Sequence, residues 1–152
     1  MLAGNGLTCC VRLAPGDRPG YGDEMASAVE VAVDTYIRMW SERDPAVRAT
    51  MLEACFAEQG RMVTPSREIR GRTAFADFMA KFLADPQLAR VRVISAVDAK
   101  GTTFRFRSAV ELRDGRLLEG FDAGEIDADG RIALLLTFGG PLGESAESGA
   151  DA

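Results

Sequence analysis

The chain has 152 residues, a formal net charge of −5 and no histidine. That length fits one domain, and the acidic balance argues against nucleic acid as a partner, because phosphate binding needs a cationic face. The missing histidine excludes Ser-His-Asp and Cys-His catalysis and every imidazole-ligated metal site.

Residues 1–22 hold five glycines and two prolines without apolar periodicity, and read as a flexible leader. The spacing predicts a helix from Asp23 to Trp40. Val29, Val33, Tyr36 and Trp40 share one stripe, Ala32 and Met39 lie beside it, and Asp34 pairs with Arg38 on the wet side. Asp44-Pro45 supplies an N-cap and a first-turn proline for a second helix, which turns Met51, Leu52, Cys55 and Phe56 inward and ends at Gly60. A short strand runs from Arg61 to Thr64 and stops at Pro65. Gly71 precedes a third helix whose Phe75, Phe78, Met79, Phe82 and Leu83 recur at helical spacing, and Asp85-Pro86 terminates it.

After Leu88 the period changes to two. Val91, Val93, Ser95 and Val97 alternate with Arg92, Ile94, Ala96 and Asp98. Phe104, Phe106, Ser108 and Val110 then alternate with Arg105, Arg107 and Glu111. Turn signals at 98–101, Asp114-Gly115 and 127–130 divide this half into a four-strand antiparallel meander. Its last strand, Arg131 to Phe138, is apolar on both faces, so each face is covered. Residues 141–152 read as a disordered tail. Helices first and strands after define an α+β domain over residues 23–140, with three N-terminal helices packed on one face of a curved, mainly antiparallel sheet.

Within that order, Tyr36-Ile37 is followed by Trp40 and Asp44, Pro65 by Gly71, and Gly120-Phe121-Asp122 by Asp129-Gly130-Arg131-Ile132. From Asp23 to Pro141 the pattern resembles the nuclear-transport-factor-2-like superfamily, which includes SnoaL-like polyketide cyclases and ketosteroid isomerases. The resemblance implies a cone-shaped α+β barrel around a deep apolar pocket, and dimerisation through the sheet's outer face. In the ketosteroid isomerases, a tyrosine of helix one and a protonated aspartic acid form an oxyanion hole, and a second aspartate is the base. Tyr36 and Asp122 match the first two positions. The base position holds Thr64, which cannot take a proton from carbon near neutral pH. The histidine common in SnoaL-like cyclases has no counterpart.

The residues themselves leave alternatives open. Asp122 interrupts a face made of Leu118, Gly120, Gly124 and Ile126. Such an acid is either neutralised by burial, ready to donate a hydrogen bond inside a pocket, or paired with Arg92 or Arg105 across the sheet. Tyr36 is either a core residue or a pocket hydroxyl. Trp40, Phe75, Phe78, Met79, Phe82 and Phe106 fill the core or line the cone, and Thr64 and Ser108 add hydroxyls to it or satisfy backbone groups. Cys55 reads as a small buried hydrophobe. Arg105, Arg107 and Arg113 point outward in a ladder with Glu111. Together with an outward Ala133, Leu135 and Thr137 they predict a homodimer through the sheet face.

The expected function is that of a cytoplasmic small-molecule enzyme of isomerase, cyclase or lyase type. Its substrate is apolar and carbonyl-bearing, and Tyr36 and Asp122 hold the developing oxyanion. The alternative is a non-catalytic ligand-binding or dimerisation module of the same fold. No cofactor or metal is expected, since neither a glycine-rich phosphate loop nor a ligand cluster occurs. No membrane partner is expected either, because the longest uncharged apolar run, Ile132 to Phe138, is far too short for a bilayer. Three cysteines without metal spacing suit a reduced compartment.

Overall fold

The computed structural model describes residues 21–140. The expected tail and residues 1–20 of the expected leader lie outside them, and the first helix begins at Tyr21, inside the leader's expected end. The helices are α1 (Tyr21–Met39), α2 (Pro45–Cys55) and α3 (Arg72–Leu83). The strands are β1 (Phe56–Thr64), β2 (Arg67–Arg70), β3 (Leu88–Val93), β4 (Asp98–Lys100), β5 (Thr103–Leu112), β6 (Leu117–Ile126) and β7 (Ile132–Gly139). One curved sheet has the order β2-β1-β7-β6-β5-β3, with β4 on the far part of β5. All its pairings are antiparallel except β1 with β7.

Local chemistry explains most boundaries. Asp44 caps α2 by accepting the Ala46 N–H at 2.8 Å, with Pro45 in the first turn. Gly71, at φ +84°, opens α3. The hairpin between β6 and β7 closes on Asp127, whose carboxylate accepts the N–H groups of Asp129 and Arg131, with Gly130 at φ +74°. Between β5 and β6, Asp114 accepts the Arg116 N–H and Gly115 takes φ +86°.

Four expectations need correction. First, α2 ends at Cys55 and passes straight into β1, because Phe56 already has extended dihedrals. Gly60, expected to stop the helix, is a strand residue pressed under the Phe56 ring, where an added Cβ would lie 2.5 Å from Phe56 Cε1. Arg72 then pins the junction, donating from its guanidinium to the Phe56 carbonyl at 3.1 and 3.0 Å. Secondly, residues 67–70 form a strand, so β1 and β2 make a hairpin rather than a lone strand.

Thirdly, the alternation from Val91 to Asp98 is not one strand. It breaks after Val93, where the Ser95 hydroxyl rather than a ladder carbonyl accepts the Arg107 N–H at 2.7 Å. Fourthly, the register shifts beside Ile132, which pairs with Ile126 while Leu134 pairs with Glu125. That extra residue reverses the facing of all that follows. Leu135 is fully buried and Thr137 faces inward, whereas Leu134, Leu136 and Phe138 lie on the outer face with Phe121. The outward stripe therefore contains neither Leu135 nor Thr137.

The core lies between the helices and the inner sheet face. Phe56 and Phe75 stack at 4.8 Å, surrounded by Met39, Leu52, Cys55, Met79, Ile132 and Leu135. Burying a large apolar side chain contributes ~1.5–3 kcal/mol, and these aromatic and thioether groups fill the base of the cone. The sheet curves over them at Gly124, where a Cβ would stand 2.4 Å from the Leu134 carbonyl oxygen and 2.5 Å from Phe104 Cζ.

Candidate functional site

Above the core a cavity of about 370 Å³ opens between α1, α3 and the inner sheet face, within the range of small-molecule sites. Inward positions of β5 and β6 are fixed by strand pairing. Phe106 faces Asp122, and Ser108 faces Gly120. Because Gly120 has no side chain, the Ser108 hydroxyl leans across it to donate to Asp122 Oδ2. On the other flank Thr137, the direct partner of Asp122 on β7, donates to Oδ1 at 2.7 Å.

Asp122 is the buried charged residue of the described chain, 3% exposed. Burial pushes its carboxyl above the usual range, while the hydrogen bonds from Ser108 and Thr137 act in the opposite sense. A neutral carboxyl here has one O–H to give, and each neighbouring hydroxyl can accept as well as donate. Neither Arg92 nor Arg105 reaches Asp122: Arg105 pairs with Asp98 at 2.8 Å, and Arg92 approaches Glu111 at 3.5 Å. The outward ladder also differs from expectation, since Glu111 meets Arg90 and Arg92 across β3, and Arg107 meets Glu119.

Tyr36 reaches the same cavity from α1. Its ring stands edge-on to Trp40 at 6.0 Å and lies 6.4 Å from Phe75 and 6.5 Å from Phe106. Burial raises the phenol well above its ordinary value. The nearby Asp122 adds to the rise, and a side-chain hydrogen bond with Trp40 partly opposes it. The phenol is therefore a proton donor throughout the working pH range. Cys55, buried below and beside it, is pushed up to about 12 by burial, and stays a thiol.

Of the other expected site residues, Trp40, Thr64, Phe78, Phe82, Phe106 and Ser108 line the cavity. Phe75 and Met79 do not. They are 0% and 1% exposed and belong to the packed base, because α3 turns them toward Phe56 while Phe78 and Phe82 lie one turn round, toward the opening. Thr64 is committed to its own turn: its hydroxyl accepts the Arg67 N–H and donates to the Arg67 carbonyl, both at 3.2 Å. Residues not singled out from the sequence complete the wall, chiefly Met62, Arg67, Val91, Val93 and Thr137. Thr137 was discoverable only by locating the register shift before it. No group of acidic or cysteine residues among those described is arranged to hold a metal ion.

Neither a protein-family model nor a curated protein matches this sequence. Solved structures do. A candidate isomerase of the SnoaL-like family from Agrobacterium tumefaciens superposes with a TM-score of 0.66 at 24% identity, over 76% of this chain and 99% of that one. An NTF2-like protein of unknown function from Mesorhizobium loti gives 0.64 at 18% identity, over 86% and 100%. A de novo designed protein with a curved β-sheet gives 0.61 at 16% identity, over 76% and 87%. The chain thus has the nuclear-transport-factor-2-like fold, three helices on a curved, mostly antiparallel seven-stranded sheet. The match to a designed protein shows that this shape arises without any natural activity, so function rests on the site. No helix among the described residues is long and apolar enough to cross a membrane.

Proposed function

We propose that the cavity binds an apolar, carbonyl-bearing molecule and holds its oxygen between Tyr36 and Asp122, in an enzyme of the isomerase, cyclase or lyase type. The observation that supports this is the pair itself, a buried phenol and a buried carboxyl pushed toward neutrality, sharing one apolar cavity. Both groups donate to an enolate-like oxygen, and hydrogen bonds to a charged acceptor contribute ~1.5–3 kcal/mol each. The Agrobacterium neighbour's description as a SnoaL-like isomerase is in keeping with this reading. A second reading, ligand binding without turnover, is favoured by one feature: among the described residues Asp122 is the only carboxyl group on the cavity wall, and Thr64 is no base. An enzymatic step here therefore acts on a substrate that is already activated when it binds.

We further propose a cytoplasmic setting, in keeping with the free Cys55 thiol, and a homodimer through the outer sheet face. There Phe121 and Phe138, 40% and 48% exposed, stand directly opposite each other on β6 and β7.

Calorimetric titration with naphthol, a stable enolate mimic, tests the pair. Asp122→Asn keeps a donor and weakens binding mildly. Asp122→Leu and Tyr36→Phe each weaken it on the order of tenfold, and the double variant is less than additive. Equal binding by all variants sinks the assignment.

A further inference from the structure

Two basic residues border the cavity, and they face opposite ways. Arg92 lies on the outer sheet face, opposite Ala109 in register, where Glu111 engages it. Arg67 lies on the inner face. It stands opposite Thr64, two residues from the buried Ile69, and its guanidinium sits over the Phe78 ring at 5.9 Å.

Cation–π attraction to Phe78 anchors the guanidinium beside the cavity that both residues line. The Thr64 turn fixes the backbone that carries it. The sheet's outer arginines Arg61, Arg70, Arg90, Arg105 and Arg107 each have a carboxylate partner. Arg67 has none among the described residues, although Asp77 and Lys81, of opposite charge, border the shallow groove behind it. The cavity therefore has hydrogen-bond donors deep inside, apolar walls, and at the mouth one cation without a carboxylate partner among the described residues.

We propose that the ligand is an apolar carboxylic acid, its inner oxygen held by Tyr36 and Asp122 and its carboxylate held at the mouth by Arg67. This rests on the binding reading above and adds the substrate class. One planar guanidinium matches one carboxylate edge to edge. A doubly charged phosphate would leave charge uncompensated in a chain of net −5.

The test compares hydroxynaphthoate, with its hydroxyl and carboxylate on opposite rings, against its methyl ester at neutral pH, by calorimetry. Wild-type protein is expected to bind the acid roughly three- to tenfold more tightly, as for a partly exposed ion pair with good geometry. Added salt shrinks that ratio. Arg67→Met brings the ratio to about one, and Arg67→Lys retains part of it, with thermal midpoints confirming that both variants fold. Asp122→Leu weakens acid and ester alike and leaves the ratio standing. An ester that binds as well as the acid, or a ratio that survives Arg67→Met, overturns the carboxylate assignment while leaving the inner pair intact. Failure of naphthol and both naphthoates to bind overturns the cavity reading and this inference with it.

Discussion

Phe75 and Phe82 lie seven residues, about two turns, apart on α3, and they meet opposite surroundings. Phe75 is fully buried, stacks on Phe56 at 4.8 Å and leans on Tyr36. Phe82 is half-buried, meets Trp40 edge-on at 5.5 Å and borders open space. One helix thus serves two ends of the cone. Phe75 and Met79 seal a filled base, and Phe78 and Phe82 wall a cavity. The same split runs along β6, where Ile126 enters the base at 2% exposure and Asp122, two inward positions away, enters the cavity. Tyr36 sits at the border, its ring packed near Phe75 and Phe106 while it also lines the cavity.

If that division is real, truncations at the two ends have different costs, and this is the largest effect expected. Phe75→Ala leaves a hole in the packed base, and should cost ~3–5 kcal/mol in chemical denaturation. Phe82→Ala removes a side chain that already borders open space, and should cost ~1 kcal/mol. It should also change ligand affinity, which quenching of the single tryptophan, Trp40, can report from inside the cavity wall. Equal stability losses would erase the distinction between base and cavity.

The base was far more legible in the sequence than the cavity, for a physical reason. Core positions repeat: Phe75, Met79 and Phe82 announce a helix face, and Phe104, Phe106 and Ser108 a strand face. Periodicity does not say which members of one face meet a partner and which meet a void, so on that evidence Phe75 and Met79 are indistinguishable from Phe78 and Phe82. The Asp122 carboxyl was visible as an acid on an apolar face, and Tyr36 by its place in helix one. The groups that decide the state of Asp122 were not all visible. Ser108 reaches it because Gly120 lacks a side chain, and Thr137 because one extra residue shifts the β6–β7 register. Arg67 was hidden in a strand too short to show alternation.

A pH titration sharpens the comparison at Asp122, with a smaller effect than the core truncation. Its carboxyl titrates above the ordinary 3.8 in the folded chain, so the folded state holds a proton that the unfolded state releases. That contribution to stability is complete below about pH 4 and is lost as pH rises through the folded value. Relative to Asp122→Asn, which does not titrate, the wild-type protein should be most stable in acid and lose its advantage toward neutrality. Exposed carboxylates such as Glu111, which Arg90 holds low, give the opposite slope, but they are present in both proteins and cancel in the difference. Denaturation midpoints of the pair across pH decide it. A wild-type advantage that grows with rising pH would mean that Ser108 and Thr137 hold Asp122 as an anion, and that it cannot donate to a ligand oxygen.

The smallest effect belongs to the outer face of the same sheet. Arg105 alternates with Phe104 and Phe106 along β5, so it points away from both base and cavity, and donates to Asp98 at 2.8 Å with both side chains about two-thirds exposed. An ion pair in that setting gains little, because water and salt screen it and two long side chains must be held still. Arg105→Gln should therefore change stability by ~0.5 kcal/mol or less and leave naphthol affinity unaltered, since no part of the residue reaches the inner wall. Should the outer face join two copies of the chain, Arg105 stands beside the apolar β6–β7 surface, opposite Ala123 in register. The variant would then show a concentration-dependent midpoint different from that of the wild type. Midpoints measured at two widely separated protein concentrations distinguish these cases. A loss that appears only at the higher concentration assigns Arg105 to a dimer interface, and an equal small change at both assigns it to open water.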